Sequence, residues 1–82
     1  MLTKTDVLNA IKGNLLLVVE DFDEGRFDPT QSMLDLGANS IETVEIVSRT
    51  MRDLRVKVPR ARLNNVQNID QLADEFLLAS GK

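Results

Sequence analysis

Ser40 is the side chain best placed to do chemistry, and the chemistry open to it is narrow. The chain has no histidine and no cysteine. A serine hydroxyl needs a base beside it to become a good nucleophile. Without histidine the commonest general base and any Ser-His-Asp triad are missing. Lack of cysteine also removes disulfides, thiolate zinc sites and cysteine nucleophiles. Asp21, Asp23 and Glu24 invite a calcium reading, but no ligand set runs on to a glutamate at the twelfth loop position. That cluster reads as a solvated acidic loop, and Ser40 reads as a serine that is modified rather than one that catalyses.

The residues around it say how it is presented. Asp35-Leu36-Gly37-Ala38-Asn39-Ser40-Ile41 follows an irregular acidic segment and opens a helical pattern. Gly37 can take a positive φ at no steric cost. Asn39 tolerates the left-handed region and can bond local backbone. Ser40 falls at the N-cap or first helical position. Its hydroxyl then sits where free N–H groups and the positive helix end favour a phosphate. Without further context the same residue is a plain capping serine.

Four helices must position this turn. Thr3 and Asp6 form a capping-box pattern that opens the first. Val7, Leu8, Ile11, Leu15, Val18 and Val19 make one helical stripe, which Leu16 and Leu17 widen. Glu20 to Asn39 is a long connection broken by Gly25 and Pro29. Connections of that length are uncommon unless they pack down or carry function. Phe22, Phe27, Met33 and Leu36 are expected to cover one end of the core, with Ser32 and Asp35 capping a short turn. The second helix is expected over Ser40 to Leu54, with Thr43, Ile46, Val47, Thr50 and Leu54 inward. Val58-Pro59 can open a short third helix, with Ala61 and Leu63 inward and a turn at Asn64-Asn65. The last begins at Asn68, capped with Gln71, and runs on Ile69, Leu72, Ala73, Phe76 and Leu77. Gly81 suits its end, and the terminus beyond is expected to fray.

Eighty-two residues make one small domain, 1–82. The formal net charge of −3 disfavours nucleic acid as the main partner. The charge is uneven. The first half is acidic, whereas Arg49, Arg52, Arg55, Lys57, Arg60 and Arg62 face only Asp53 within their segment. No apolar run is long enough to cross a bilayer and the N-terminus lacks a signal-peptide pattern. The default expectation is a cytoplasmic monomer without membrane or metal partners. The start at Met1 and the stop soon after the last helix suit a discrete protein.

The heptapeptide resembles the phosphopantetheine attachment site of the acyl carrier protein family, D-x-G-x-x-S followed by an aliphatic residue. Asp35, Gly37, Ser40 and Ile41 match that pattern. Asn39 departs from it, because many carriers have Asp there and many peptidyl carriers His. The resemblance extends over the first helix, the long loop, the Val58-Pro59 step and the last helix. It implies an all-α fold, an antiparallel four-helix bundle of acyl-carrier type with three main helices, one short helix and a long first loop. It also implies 4′-phosphopantetheine, moved from coenzyme A onto Ser40 by a phosphopantetheinyl transferase, with Asp35, Gly37 and Asn39 shaping the turn. By the same resemblance the second helix docks partner enzymes through Ile41, Glu42, Val44 and Glu45.

The second half of that helix departs from the acidic surface common in fatty-acid carriers. Arg49 and Arg52 suggest a docking surface that is acidic near Ser40 and basic further along; the simpler account is a solvated face with Asp53 as counter-charge. Leu36-Gly37-Ala38-Asn39-Ser40-Ile41, Val44-Glu45-Ile46, Asn68-Ile69 and Leu72-Ala73-Asp74 look like freestanding carriers of polyketide assembly. Within these the chain is most similar to donor carriers of β-branching cassettes, which hold acetyl for an HMG-CoA-synthase-like enzyme. A ketosynthase-like decarboxylase or an acyltransferase would be further partners. On this resemblance the protein carries acyl thioesters and is not an enzyme. The alternatives are a fatty-acid carrier, a peptidyl carrier, a helical protein–protein module without a prosthetic group, and a helix-turn-helix DNA binder using Arg49 to Arg62.

Overall fold

A computed structural model describes residues 2–81. Its helices are α1 (Lys4–Val18), α2 (Ser40–Leu54), α3 (Arg60–Leu63) and α4 (Ile69–Ser80), with a 3-10 turn at Glu24–Arg26 in the long first connection. The start of α1 is the expected capping box. Thr3 Oγ1 accepts the Asp6 N–H at 3.1 Å and Asp6 Oδ2 accepts the Thr3 N–H at 3.0 Å. The backbone N–H of Thr3, and after it the Thr3 hydroxyl, favour the ionised carboxylate and draw the Asp6 pKa down.

The core is built from the stripes expected of the sequence. Val7, Ile11 and Leu15 of α1 meet Ile46 and Val47 of α2 and Ile69, Leu72, Ala73 and Phe76 of α4 in one apolar cluster. Phe22, Met33 and Leu36 of the first connection are buried in it and Phe27 packs against it. Lys12 sits 5.8 Å from the Phe27 ring centre, a cation–π distance, and also pairs with Glu24 at 3.4 Å. The long connection is therefore packed rather than loose.

It also finishes α4. The Ile69 N–H donates to the Gln31 carbonyl at 3.0 Å and the Asp70 N–H to the Pro29 carbonyl at 2.8 Å. Asn68 Oδ1 accepts the Gln71 N–H at 2.8 Å. Three N–H groups that a helix start leaves without intrahelical partners are thereby satisfied. Lys4 bridges α1 to the same region, 2.7 Å from Asp70 and 3.1 Å from Asp74. These carboxylates, Asp70 foremost, raise the Lys4 pKa.

Three expectations need correction. Leu16 and Leu17 do not widen the buried face, and Leu17 is 73% exposed. The buried stripe passes from Leu15 to Val19, and Leu16 and Leu17 between them are turned away because each residue rotates the side chain by about 100°. Ala61 is exposed while Leu63 packs on the core. Residues two apart in one helical turn point to opposite sides, so both cannot face inward. Asp53 is not the counter-charge of the arginines. Its carboxylate accepts a hydrogen bond from Asn14 at 3.1 Å, and Arg49 pairs with Glu45 at 2.9 Å. Lys82, where fraying was expected, and the start at Met1 lie outside the described residues.

Candidate functional site

The turn before α2 is two capping structures in series. Ser32 to Gly37 forms a short helical turn, opened by a reciprocal pair in which Ser32 Oγ accepts the Asp35 N–H and Asp35 Oδ2 accepts the Ser32 N–H. It ends at Gly37 with φ +104°. The Gly37 N–H donates to Leu34 and the Ala38 N–H reaches back to Met33 at 3.0 Å. This is a Schellman-type closure, in which glycine supplies the positive φ. Ala38 is then buried, which anchors the chain just before α2.

Gly37→Ala therefore costs backbone strain rather than a clash. An added Cβ meets nothing closer than Val19 Cγ1 at 4.0 Å. The expected loss is about 1–2 kcal/mol, read as a fall in thermal midpoint of about 5–15 °C. An unchanged midpoint would mean that the turn can close without a positive φ.

Asn39 takes the second cap. It is extended, at φ −82° and ψ 179°, so the left-handed conformation allowed to it is not used. Asn39 Oδ1 accepts the Glu42 N–H at 2.8 Å and Glu42 Oε1 accepts the Asn39 N–H at 2.9 Å. The cap is Asn39, and Ser40 is the first helical residue. Ser40 is exposed, and its hydroxyl makes no hydrogen bond among the described residues. The backbone N–H groups of Ser40 and Ile41 have no protein acceptor there either. An exposed hydroxyl beside two such donors at a helix start is compatible with a phosphodiester.

The apolar side chains beside it are also exposed, Ile41 by 80% and Val44 by 62%. Glu42 is held by its cap, and Glu45 by Arg49. Arg52 is exposed and makes no ion pair among the described residues. Leu34, 62% exposed, belongs to the same region and was not singled out from the sequence. Its signal was the Met33-Leu34 pair in a tight turn, where burial of one side chain turns its neighbour out. Leu34 and Val44 line a cleft of about 610 Å³ with Val47, Met51, Leu63 and Leu72, running between α2, α3 and α4. Ser40 does not line it; Thr43 and Val44, one helical turn on, are the first residues of α2 that do.

The family model for the phosphopantetheine attachment site matches residues 7–76, a span that includes both caps and Ser40. The chain belongs to that family. The prosthetic group of the phosphopantetheine carriers is thus the one implied by the heptapeptide, and the hydroxyl and N–H geometry described above has room for it. The polyketide biosynthesis acyl-carrier-protein AcpK of Bacillus subtilis (strain 168) is 34% identical over 71 residues, 87% of each chain. A chain in the crystal structure of the curacin biosynthetic pathway HMG synthase in complex with acetyl donor-ACP matches with a TM-score of 0.81. It is 32% identical, and the match covers 96% of this chain and 99% of that one. The four-helix carrier fold is accordingly the fold of this protein. No described helix is long and apolar enough to cross a membrane.

Proposed function

We propose that this protein is an acyl carrier of polyketide biosynthesis that holds an acetyl unit on Ser40 for β-branching. One observation carries the assignment of Ser40. It is an exposed hydroxyl at the first position of α2 that, like the N–H groups of Ser40 and Ile41 beside it, has no hydrogen-bond partner among the described residues. Phosphopantetheine, when attached, supplies a thiol that carries acyl groups as thioesters. The chain supplies placement. Asn39 and Glu42 fix the start of α2, Asp35 and Gly37 fix the turn leading to it, and the two N–H groups and the helix dipole favour a phosphate there.

The protein acts as a substrate of enzymes rather than as a catalyst. It lacks histidine and cysteine, so the base that activates Ser40 comes from a phosphopantetheinyl transferase. Ile41, Glu42, Val44, Glu45, Arg49 and Arg52 form the docking face, and the single domain works as a monomer in the cytoplasm. The donor role rests on the likeness to the curacin complex. An HMG-CoA-synthase-like enzyme is the partner it supports. A ketosynthase-like decarboxylase or an acyltransferase would load the acetyl unit or its precursor.

The test is acetyl transfer. The holo protein is loaded with acetyl and mixed with the HMG-CoA-synthase-like enzyme of its pathway and an acceptor carrier bearing a β-ketoacyl group. Intact mass should show acetyl leaving this protein only when enzyme and acceptor are both present. Retention of acetyl, together with growth rescue of a strain lacking its fatty-acid carrier, would reassign the protein to fatty-acid synthesis.

A further inference from the structure

The described cations fall into two groups. Lys4, Lys12, Arg49 and Arg62 each pair with a carboxylate of the protein. Arg26, Arg52, Arg55, Lys57 and Arg60 are exposed and make no ion pair among the described residues. Arg26 stands alone in the first connection, whereas the other four lie in one stretch from the last turn of α2 to the first residue of α3. Arg52, Arg55 and Lys57 rim a shallow depression with Met51 and Val56, and Lys57 and Arg60 also border the larger cleft. Charge compensation inside the molecule stops along this edge.

Arg55 adds a second, independent observation. It closes α2 in the left-handed conformation, at φ 55° and ψ 40°. The Val56 N–H returns to the Met51 carbonyl at 3.0 Å. Glycine is the usual occupant of such a position because any Cβ is strained there. An arginine at this point gives up stability, and its guanidinium pairs with no carboxylate among the described residues in return. Strain held without an internal benefit points to a use outside the fold.

We propose that Arg52, Arg55, Lys57 and Arg60 form a docking strip for a carboxylate-bearing face of the enzyme that consumes the loaded acyl unit. The strip extends the docking face of the proposed function away from Ser40, and it rests on that reading. A protein face suits it better than a polyanion. The chain carries a net charge of −3 and an acidic first half, which repel a continuous row of phosphates. The cations alternate with half-buried Met51 and Val56 around a depression, which suits discrete carboxylates set among apolar side chains. With Glu42 and Glu45 at the other end of α2, the surface also sets orientation. A partner must offer cation-tolerant surface near Ser40 and anions near α3, and an enzyme basic throughout is disfavoured.

Two variants of the full-length holo protein test this, Arg55→Gly and the double variant Lys57→Glu/Arg60→Glu. Association of the acetyl-loaded forms with the HMG-CoA-synthase-like enzyme of the pathway is followed at low and high salt, with thermal unfolding alongside. Arg55→Gly should raise the unfolding temperature yet weaken association about three- to tenfold, a combination that a structural role does not give. The double variant should lose about tenfold or more in affinity at low salt, chiefly in the association rate, and converge on the wild type at high salt. Affinities within about twofold of wild type for both variants would overturn the strip and leave the donor role standing. Failure of the wild type itself to bind would remove the donor role and the strip with it. Loss of retention on phosphatidylserine vesicles, with enzyme affinity unchanged, would also overturn the proposal.

Discussion

Ser40→Ala should accept no phosphopantetheine from coenzyme A under conditions where the wild type gains one group and only one. The readout is intact mass after incubation with magnesium, coenzyme A and a broad-specificity transferase. The loss should be complete because no other serine of this chain stands at the start of a helix behind a Gly37-type turn. The substitution should leave the fold intact. Asn39, not Ser40, caps α2, and the Ser40 hydroxyl makes no hydrogen bond among the described residues. The expected change in stability is within about 0.5 kcal/mol. A folded alanine variant that still gains the group would move the attachment to another hydroxyl. A folded wild type that gains none would reduce the turn to a pair of helix caps.

How far the sequence reaches depends on the range of the interaction. Local signals were legible. Thr3 and Asp6 form their capping box, Asn68 caps α4 although Gln71 Oε1 takes the Gln67 N–H rather than that of Asn68, and Gly37 holds the positive φ. Helical stripes were legible too, since Val7, Ile11 and Leu15 or Ile69, Leu72, Ala73 and Phe76 need only a period of 3.6. Two kinds of feature were not. The end of α2 carries no glycine, so the left-handed Arg55 has no sequence mark. Pairings across the chain have none either. Nothing local shows that Pro29 and Gln31 carbonyls will finish α4, or that Asn14 will be buried. The docking face lies between these cases. Ile41 and Val44 could be placed off the inward stripe, but Leu34 joins them only through the fold of the first connection.

Asn14 supplies the largest expected effect on stability. Its Nδ2 donates to Thr50 Oγ1 at 3.0 Å and to Asp53 Oδ2 at 3.1 Å, tying α1 to α2. Thr50 is fully buried and gives its own hydroxyl proton to the Ile46 carbonyl at 2.8 Å. Both neighbours are therefore acceptors, and residue 14 must donate twice. Among side chains of this size only the asparagine amide does so. Asn14→Asp keeps the shape but removes both donors and sets a buried charge beside Asp53. The expected loss is about 3–4 kcal/mol at neutral pH, or about 15–25 °C in thermal midpoint for a domain of this size. Burial and the Asp53 charge raise the pKa of the new carboxyl in the folded state. The penalty is then present above that raised pKa and fades as pH falls toward the ordinary aspartate value of about 4. Asn14→Leu adds no charge, leaves Thr50 bonded to Ile46 and lets Asp53 turn to solvent, so it should cost less, about 1–2 kcal/mol. An aspartate variant as stable as the leucine variant at neutral pH, or one that gains nothing on acidification, would show that the α1–α2 contact relaxes to admit water.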